Sequence, residues 1–329
     1  MENKACLVSI LCTAYNHEAY LRDALDGFLM QKTDFPFEIL VSDDASTDST
    51  AAIIREYAAK YPDIVRPFLL TENLFSRGGN LYTDVLYPNM RGKYAAFCEG
   101  DDYWTDPEKL QRQVDFLEAH PDYSACVHNT MLHYCDADRA DRPLLPARGD
   151  RDVALKTLLS GSSYSFHTSS LLARVALIRE PPDYYRVAQA NGFLDYALNL
   201  LLGVSGRIRF LDRVMSVYRI GSNPAAWSAG VDGQNREYRK LRRFVAGERD
   251  TLRAFLPHVS GEDAALVEQE ILEKEFELMY IEGRDREQRR GPYARIMKSK
   301  PLKYRAVNLI KCCLPGLARR YRRRRGFTD

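Results

Sequence analysis

The stretch FCEGDDYWTDPEKL (Phe97–Leu110) places Glu99, Asp101 and Asp102 within four residues, directly after the small and apolar run KYAAFC. Three carboxylates on one short loop repel one another unless a cation or hydrogen-bond donors lie among them. Hard divalent ions such as Mg²⁺ or Mn²⁺ take oxygen ligands, and Mg²⁺ is held by one or two carboxylates together with substrate phosphates. An ion held by Asp102 against a diphosphate would offset the charge that builds on a leaving group. A solvated acidic loop, with Asp106 as a helix cap, fits the same spacing. A second cluster, SDDASTDST (Ser42–Thr50), ends another apolar run. There Asp48 or Ser46 can cap the following helix, which leaves Asp43 and Asp44 for a ligand. A carboxylate at this place could accept the imino N–H of a uracil or thymine ring; an over-supplied cap is the competing reading.

The elements that must position these acids alternate along the chain. ACLVSILCT (Ala5–Thr13) reads as a strand, and Leu21, Ala24, Leu25, Phe28 and Leu29 follow at helical spacing. A second strand ends near Ser42, before a helix that turns Ile53, Ile54, Tyr57, Ala58 and Tyr61 inward. IVRPFLL is a third strand and KYAAFCEG a fourth, and Asp106-Pro107 begins another helix with the proline at its first position. This alternation predicts an α/β fold: a mostly parallel, Rossmann-like sheet flanked by helices. Ligands in such sheets sit at the carboxyl ends of the strands, where both acid clusters lie. Further strands are expected at ACVHNTML, SFHTSSLLA, RIRFL and RVMSVYR, with helices at LKTLLSG and LDYALNLLLGV. After about Ser228 the chain is charged and helical, without strand signals.

With 329 residues, 45% apolar and 28% charged, the chain reads as a globular protein able to bury a sizeable core. The N-terminal apolar run is too short for a signal-peptide core or a membrane span. Seven cysteines without a CxxC or zinc spacing suggest reduced thiols in a cytoplasmic protein. The net charge of +2 hides an asymmetry: Arg284–Asp329 holds 16 Lys/Arg against 3 Asp/Glu, leaving the rest of the chain acidic. In that basic segment Leu302, Ala306, Leu309, Ile310 and Cys313 share one helical face, with Lys303, Arg305 and Lys311 toward the rim. A basic amphipathic helix followed by an arginine cluster suits an anionic membrane surface, which places the protein peripherally at the inner face of the plasma membrane. No nucleic-acid motif accompanies it, so no nucleic-acid partner is expected.

VSILCTAYNHEAYL, EILVSDDASTDST and GKYAAFCEGDDYWTDPEKLQRQVDFLE, in this order, resemble the nucleotide-binding half of family 2 glycosyltransferases with the GT-A fold. The resemblance is close over Leu7–Asn129 and looser to about Arg219. It implies that Thr13 and Tyr15 contact a nucleotide, that Asp44 binds its base, that Asp101 lies near the ribose or donor sugar, and that Asp102 ligates Mg²⁺ or Mn²⁺. Glu99 stands where the family often has Asp. Transfer with inversion needs a base for the acceptor hydroxyl. LDYALNLLLGV resembles the acceptor-side segment in which an acid before an aromatic residue plays that part, which points to Asp195; a carboxylate that merely favours the helix dipole is the alternative. SYSFHTSSLLAR resembles the segment bordering the acceptor, with His167, Thr168 and Ser169, and Trp104 suits either a pocket wall or the core. The sequence departs from the family at Gly221, where many members carry a histidine, leaving Arg219 or Trp227 to close that loop, and at Leu194, where an acid or glycine is commoner.

The expectation is therefore a GT-A catalytic domain over 1–228, with a nucleotide-sugar-binding half (1–129) and an acceptor half (130–228), followed by a helical extension over 229–329 that ends in the basic amphipathic tail. The resemblance implies an inverting, metal-dependent hexosyltransferase of surface-polysaccharide synthesis. It would move a sugar from a nucleoside-diphosphate donor, a UDP- or dTDP-sugar, to a glycan or lipid-linked acceptor. A nucleotidyltransferase would need a basic, Gly-rich phosphate loop after the first strand, and TAYNHEAYL has none. A catalytically silent sugar-nucleotide-binding or membrane scaffold protein would keep Asp44 and Asp102 and could dispense with Asp195.

Overall fold

In the computed structural model, β1 (Val8–Ala14), β2 (Phe37–Asp43), β3 (Val65–Leu69) and β4 (Tyr94–Phe97) pair in parallel in the spatial order β3-β2-β1-β4. The structure describes residues 5–135, 139–160, 165–222, 237–314 and 316, with 237–240 by backbone alone. Ser163, Trp227 and the arginine cluster from Arg319 onward lie outside the described residues.

The first strands are apolar on both faces because helices cover a parallel sheet on both sides; Val8, Ile10, Leu11, Cys12, Ile39, Leu40 and Val41 are all buried. Between them run α1 (Leu21–Leu29) and α2 (Thr50–Lys60). α1 buries Leu21, Ala24, Leu25 and Phe28, four of the five positions expected to face inward; Leu29 is half-buried. At Gly27 a Cβ would come within 2.8 Å of the Trp104 carbonyl oxygen. The close approach requires glycine there, against a helix-propensity cost of about 1 kcal/mol.

The sheet continues through β5 (Tyr103–Trp104), β6 (Tyr123–Tyr134), β7 (Arg142–Pro143), β8 (Arg151–Asp152), β9 (Leu172–Arg174) and β10 (Arg207–Ile220). Its main path is β3-β2-β1-β4-β9-β6-β10-β5, with β9 antiparallel to both β4 and β6, and β10 parallel to β6. The α/β sheet flanked by helices is the one the alternation leads one to expect, with three local differences. RIRFL and RVMSVYR form one strand, β10, bent by register shifts between Leu211 and Ser216. SFHTSS is no strand: Thr168–Ser170 make a 3-10 turn that His167 caps by accepting the Ser169 N–H. The helix expected from Asp106-Pro107 begins later, as α3 (Lys109–Ala119). The Asp106 and Pro107 carbonyls accept from Gln31 Nε2 and the Lys32 N–H, both at 2.8 Å, and Asp106 Oδ1 accepts the Glu108 N–H at 2.9 Å. These bonds hold the first turn off the helical ladder.

The chain divides into two compact units, one of residues 1–158, 162–182 and 198–229 that carries this sheet, the other of residues 159–161, 183–197 and 230–329. The second unit is helical. It holds α4 (Tyr184–Asn191), the start of α5 (Leu194–Ser205), α6 (Glu237–Phe255), α7 (Gly261–Glu282), α8 (Tyr293–Ser299) and α9 (Leu302–Cys313). Two small cores hold these helices: Val245 with Leu278 and Ile281, and Phe276 with Ile296 and Met297. Lys274, buried, donates to Glu248 and to the Ser160 carbonyl, each at 2.9 Å, so neither charge is left alone. Among the described residues no helix is long and apolar enough to cross a membrane.

Candidate functional site

Both acid clusters hang from the carboxyl end of β1. The Gly100 N–H donates to the Thr13 carbonyl at 2.9 Å and the Asp44 N–H to the Ala14 carbonyl at 3.0 Å. Thr13 pairs with Ser42 in the β1–β2 register, and Leu11 pairs with Phe97 of β4. Thr13, Asp44, Asp101 and Asp102 therefore gather at one edge of the sheet, with Tyr15, 36% exposed, just past the strand. The loops are laced together. Asn16 and Ala45 both adopt left-handed backbone, with φ of 54° and 57°. The Asn16 N–H donates to Ser46 Oγ at 2.9 Å, and its side-chain oxygen accepts the Thr47 N–H at 2.8 Å.

The Asp43–Asp44 pair has its own work in these loops. Asp48 accepts the Thr50 N–H at the start of α2, at 2.9 Å. Asp43 accepts both the N–H and the hydroxyl of Ser46, which shapes the turn. Asp44, 2% exposed, accepts the Leu74 N–H at 2.6 Å and the Phe75 N–H at 3.1 Å, one on each oxygen. Each oxygen keeps a second lone pair. The Phe75 ring on that turn is 76% exposed.

Asp102 is the buried acid of the second cluster. One oxygen accepts the Arg219 N–H at 2.9 Å, and the other lies 3.7 Å from His167 Nδ1. Burial pushes its carboxyl well above the usual range, and the charges of Asp101 and Glu99 push the same way. Asp101 accepts the Ser222 hydroxyl at 2.9 Å and lies 3.9 Å from His17 Nε2, while Glu99 accepts the Tyr82 hydroxyl at 3.3 Å. Burial lowers the pKa of His17, and its Nδ1 is enclosed without a hydrogen-bond partner among the described residues. His167 is stacked on Tyr218 at 4.0 Å, and burial pushes it down to about 3, so its ring is neutral at ordinary pH.

Arg219 ties the end of β10 to this loop. Its guanidinium donates to the Asp101 carbonyl at 2.9 Å and pairs with Asp23, between the rings of Tyr20 and Tyr103 at 5.1 and 4.3 Å. The Tyr20 hydroxyl donates to the Ser222 carbonyl at 2.7 Å. Gly221 has a φ of 81°, so the position at which the family resemblance leads one to expect a histidine is a left-handed turn. Trp104 belongs to the core. It is 2% exposed, donates its indole N–H to the Ser169 carbonyl at 2.9 Å and packs edge-on against Phe28.

Asp195 belongs to the second unit, as an exposed acid in the first turn of α5. Among the described residues no three His, Cys, Asp or Glu side chains are grouped to hold a metal ion by themselves. Sequence reasoning passed over His17, Tyr20 and Ser222. For His17 a signal existed, since it follows Thr13 and Tyr15 at the end of β1; the Tyr20–Ser222 and Ser222–Asp101 contacts span 202 and 121 positions and left no local trace.

The profile described as Glycosyl transferase family 2 matches residues 9–177. An uncharacterized protein of Mycobacterium tuberculosis is 38% identical over 254 residues, covering 77% of this chain and 69% of that protein. Among solved structures, Staphylococcus aureus TarS in complex with UDP superposes with a TM-score of 0.54 at 18% identity, over 90% of this chain and 76% of that one. Mannosyltransferase PcManGT from Pyrobaculum calidifontis, in complex with GDP-Man and Mn²⁺, gives 0.55 at 16% identity, over 96% and 87%. The two superpositions establish a GT-A-like fold. With the profile spanning more than half the chain, including both acid clusters and His167, the protein belongs to glycosyl transferase family 2.

Proposed function

We propose that the protein is an inverting, metal-dependent hexosyltransferase that moves a sugar from a UDP- or dTDP-sugar to a glycan or lipid-linked acceptor in surface-polysaccharide synthesis. The observation that carries this reading is the crowding of Glu99, Asp101 and Asp102 at the carboxyl end of β4, beside Asp44 at the end of β2. Buried Asp102 is held in an environment that disfavours its own charge, an arrangement a divalent cation would relieve. Asp102 would hold Mg²⁺ or Mn²⁺, whose chemistry there is to offset charge on a leaving diphosphate. That PcManGT is described with Mn²⁺ and a sugar nucleotide, and TarS with UDP, supports both parts.

The chain's own residues do the rest. Asp44 accepts the imino N–H of the base on the lone pairs left by Leu74 and Phe75, Thr13 and Tyr15 contact the nucleotide, and Asp101 orients the ribose or donor sugar. Asp195 takes the proton of the acceptor hydroxyl as it attacks from the face opposite the diphosphate. In this reading residues 1–228 are the catalytic domain and 229–329 a helical extension whose basic tail meets the cytoplasmic face of an anionic membrane, where a lipid-linked acceptor would be found. The test is Asp195→Asn. Turnover should fall by at least a hundredfold while the shift in melting temperature with nucleoside diphosphate and Mn²⁺ persists. Unchanged turnover would remove Asp195 from the reaction.

A further inference from the structure

α9 turns its apolar stripe outward. Its inward side is mixed, with Tyr304 packed against Phe276, Ile296 and Met297 and with the polar Asn308. Asn308, 2% exposed, donates to Gln288 Oε1 at 2.7 Å and to the Asp285 carbonyl at 3.3 Å, and accepts from Arg289 Nε at 2.7 Å. Arg286 closes the end of the helix on the Cys312 carbonyl, at 3.3 Å. Its outward side is apolar: Leu302 is 78% exposed, Ile310 56% and Leu309 51%, with Ala306 and Cys313 exposed between them. At 3.6 residues per turn these five fall within about 100° of arc. With Val307 and Leu314, five of the nine large exposed apolar side chains among the described residues lie in 302–314. Scattered singly such side chains need no explanation, but gathered on one helix face they do.

By helical spacing Lys303 and Arg305 flank this face. Both are exposed, as are Arg295 and Lys298 of α8, and no ion pair engages these four among the described residues. A second copy of this chain would bring an equally basic helix against the first, so like charges oppose self-association. An anionic surface complements both the apolar stripe and its rim. We infer that α9 is the membrane-docking element, lying in the plane of an anionic phospholipid bilayer. Leu302, Ala306, Leu309, Ile310 and Cys313 enter the acyl region, and Lys303 and Arg305 stand at the headgroup phosphates. The inference deepens the membrane part of the proposed function and does not depend on the donor site.

The experiment is co-sedimentation of the full chain with vesicles of phosphatidylglycerol and phosphatidylcholine, against phosphatidylcholine alone, at low and high salt. Binding is expected to need the anionic lipid, to weaken at high salt, and to fall at least tenfold in the Leu309→Glu/Ile310→Glu variant. The melting temperature and the nucleoside-diphosphate shift of that variant should stay unchanged, because both positions are exposed. No binding to anionic vesicles at low salt, or equal binding by the variant, overturns the inference. So does a wild-type dimer that the variant abolishes without loss of lipid binding. Should the variant fold poorly, amide exchange of the wild-type chain decides: slower exchange over 302–314 on adding anionic vesicles supports docking, and unchanged exchange refutes it.

Discussion

Replacing Arg219 by Ala should destabilise the sheet-bearing unit by about 3 kcal/mol. The guanidinium makes one charge-assisted hydrogen bond to the Asp101 carbonyl, worth about 1.5–3 kcal/mol. Its place between the rings of Tyr20 and Tyr103 adds about 0.5–1 kcal/mol for each ring. The pair with Asp23 adds little, because Asp23 is 56% exposed. These contributions share one side chain and do not sum fully, which brings the total back to about 3 kcal/mol. The Arg219 N–H to Asp102 survives the substitution, so the loss reports on the guanidinium alone. Arg219→Lys should recover roughly half of it, since an ammonium keeps the charge but cannot reach the Asp101 carbonyl and Asp23 with one planar fork. The assay is urea unfolding in a Trp227→Phe background, where buried Trp104 is the only remaining tryptophan and its emission reports this unit. A loss below about 0.5 kcal/mol in Arg219→Ala would refute the clamp.

Lys109 is fully buried, donates to Gln113 Oε1 at 2.8 Å and lies 3.9 Å from the Trp104 ring centre. Burial pushes its amine down to about 7, against about 10.4 in an unfolded chain. Between those values the unfolded state binds more protons, so stability should rise with pH from about 7 to 10 and be lost as pH falls toward 7. The slope from this group is at most about 1.4 kcal/mol per pH unit. Lys109→Met should flatten the denaturation midpoint against pH across that window, and an unchanged slope would place its origin elsewhere. Ala45 holds a φ of 57° at the turn after β2. Ala45→Gly should gain about 0.5–1 kcal/mol, read in the same urea assay, by removing the left-handed cost of a Cβ; a net loss would count against strain at this turn.

The repeating strand–helix pattern was legible because buried parallel strands and amphipathic helices leave local periodicities, and the acid clusters were legible because they end those strands. Bonds made across the fold were not. The start of α3 moved because Gln31 and Lys32, far away in sequence, take the Asp106 and Pro107 carbonyls. SFHTSS has the composition of a strand, yet the Ser169 N–H donates to the His167 side chain and the Ser170 N–H to the His167 carbonyl, which closes a turn instead. The five apolar positions expected on one face of α9 do share one, but Lys311, expected at its rim, is half-buried 4.2 Å over the Tyr280 ring; spacing does not say which face turns inward, and Tyr304 with Asn308, Arg289 and Gln288 decided for the other one. The Arg219 clamp joins three segments, 20–23, 101–103 and the end of β10, and has no local signature. Asp44 was expected to be a spare acid, and the structure gives it the turn at Leu74 and Phe75 as well.

The donor site is tested most directly by the melting temperature of the wild-type chain and of Asp102→Asn with UDP, dTDP, GDP and CDP, each with and without Mn²⁺. A stabilising shift with UDP or dTDP that needs the metal is expected, and its loss in Asp102→Asn while that variant stays folded. A well-folded wild type that responds to no nucleotide, or an Asp102→Asn variant that responds as fully as the wild type, would contradict the proposed donor site.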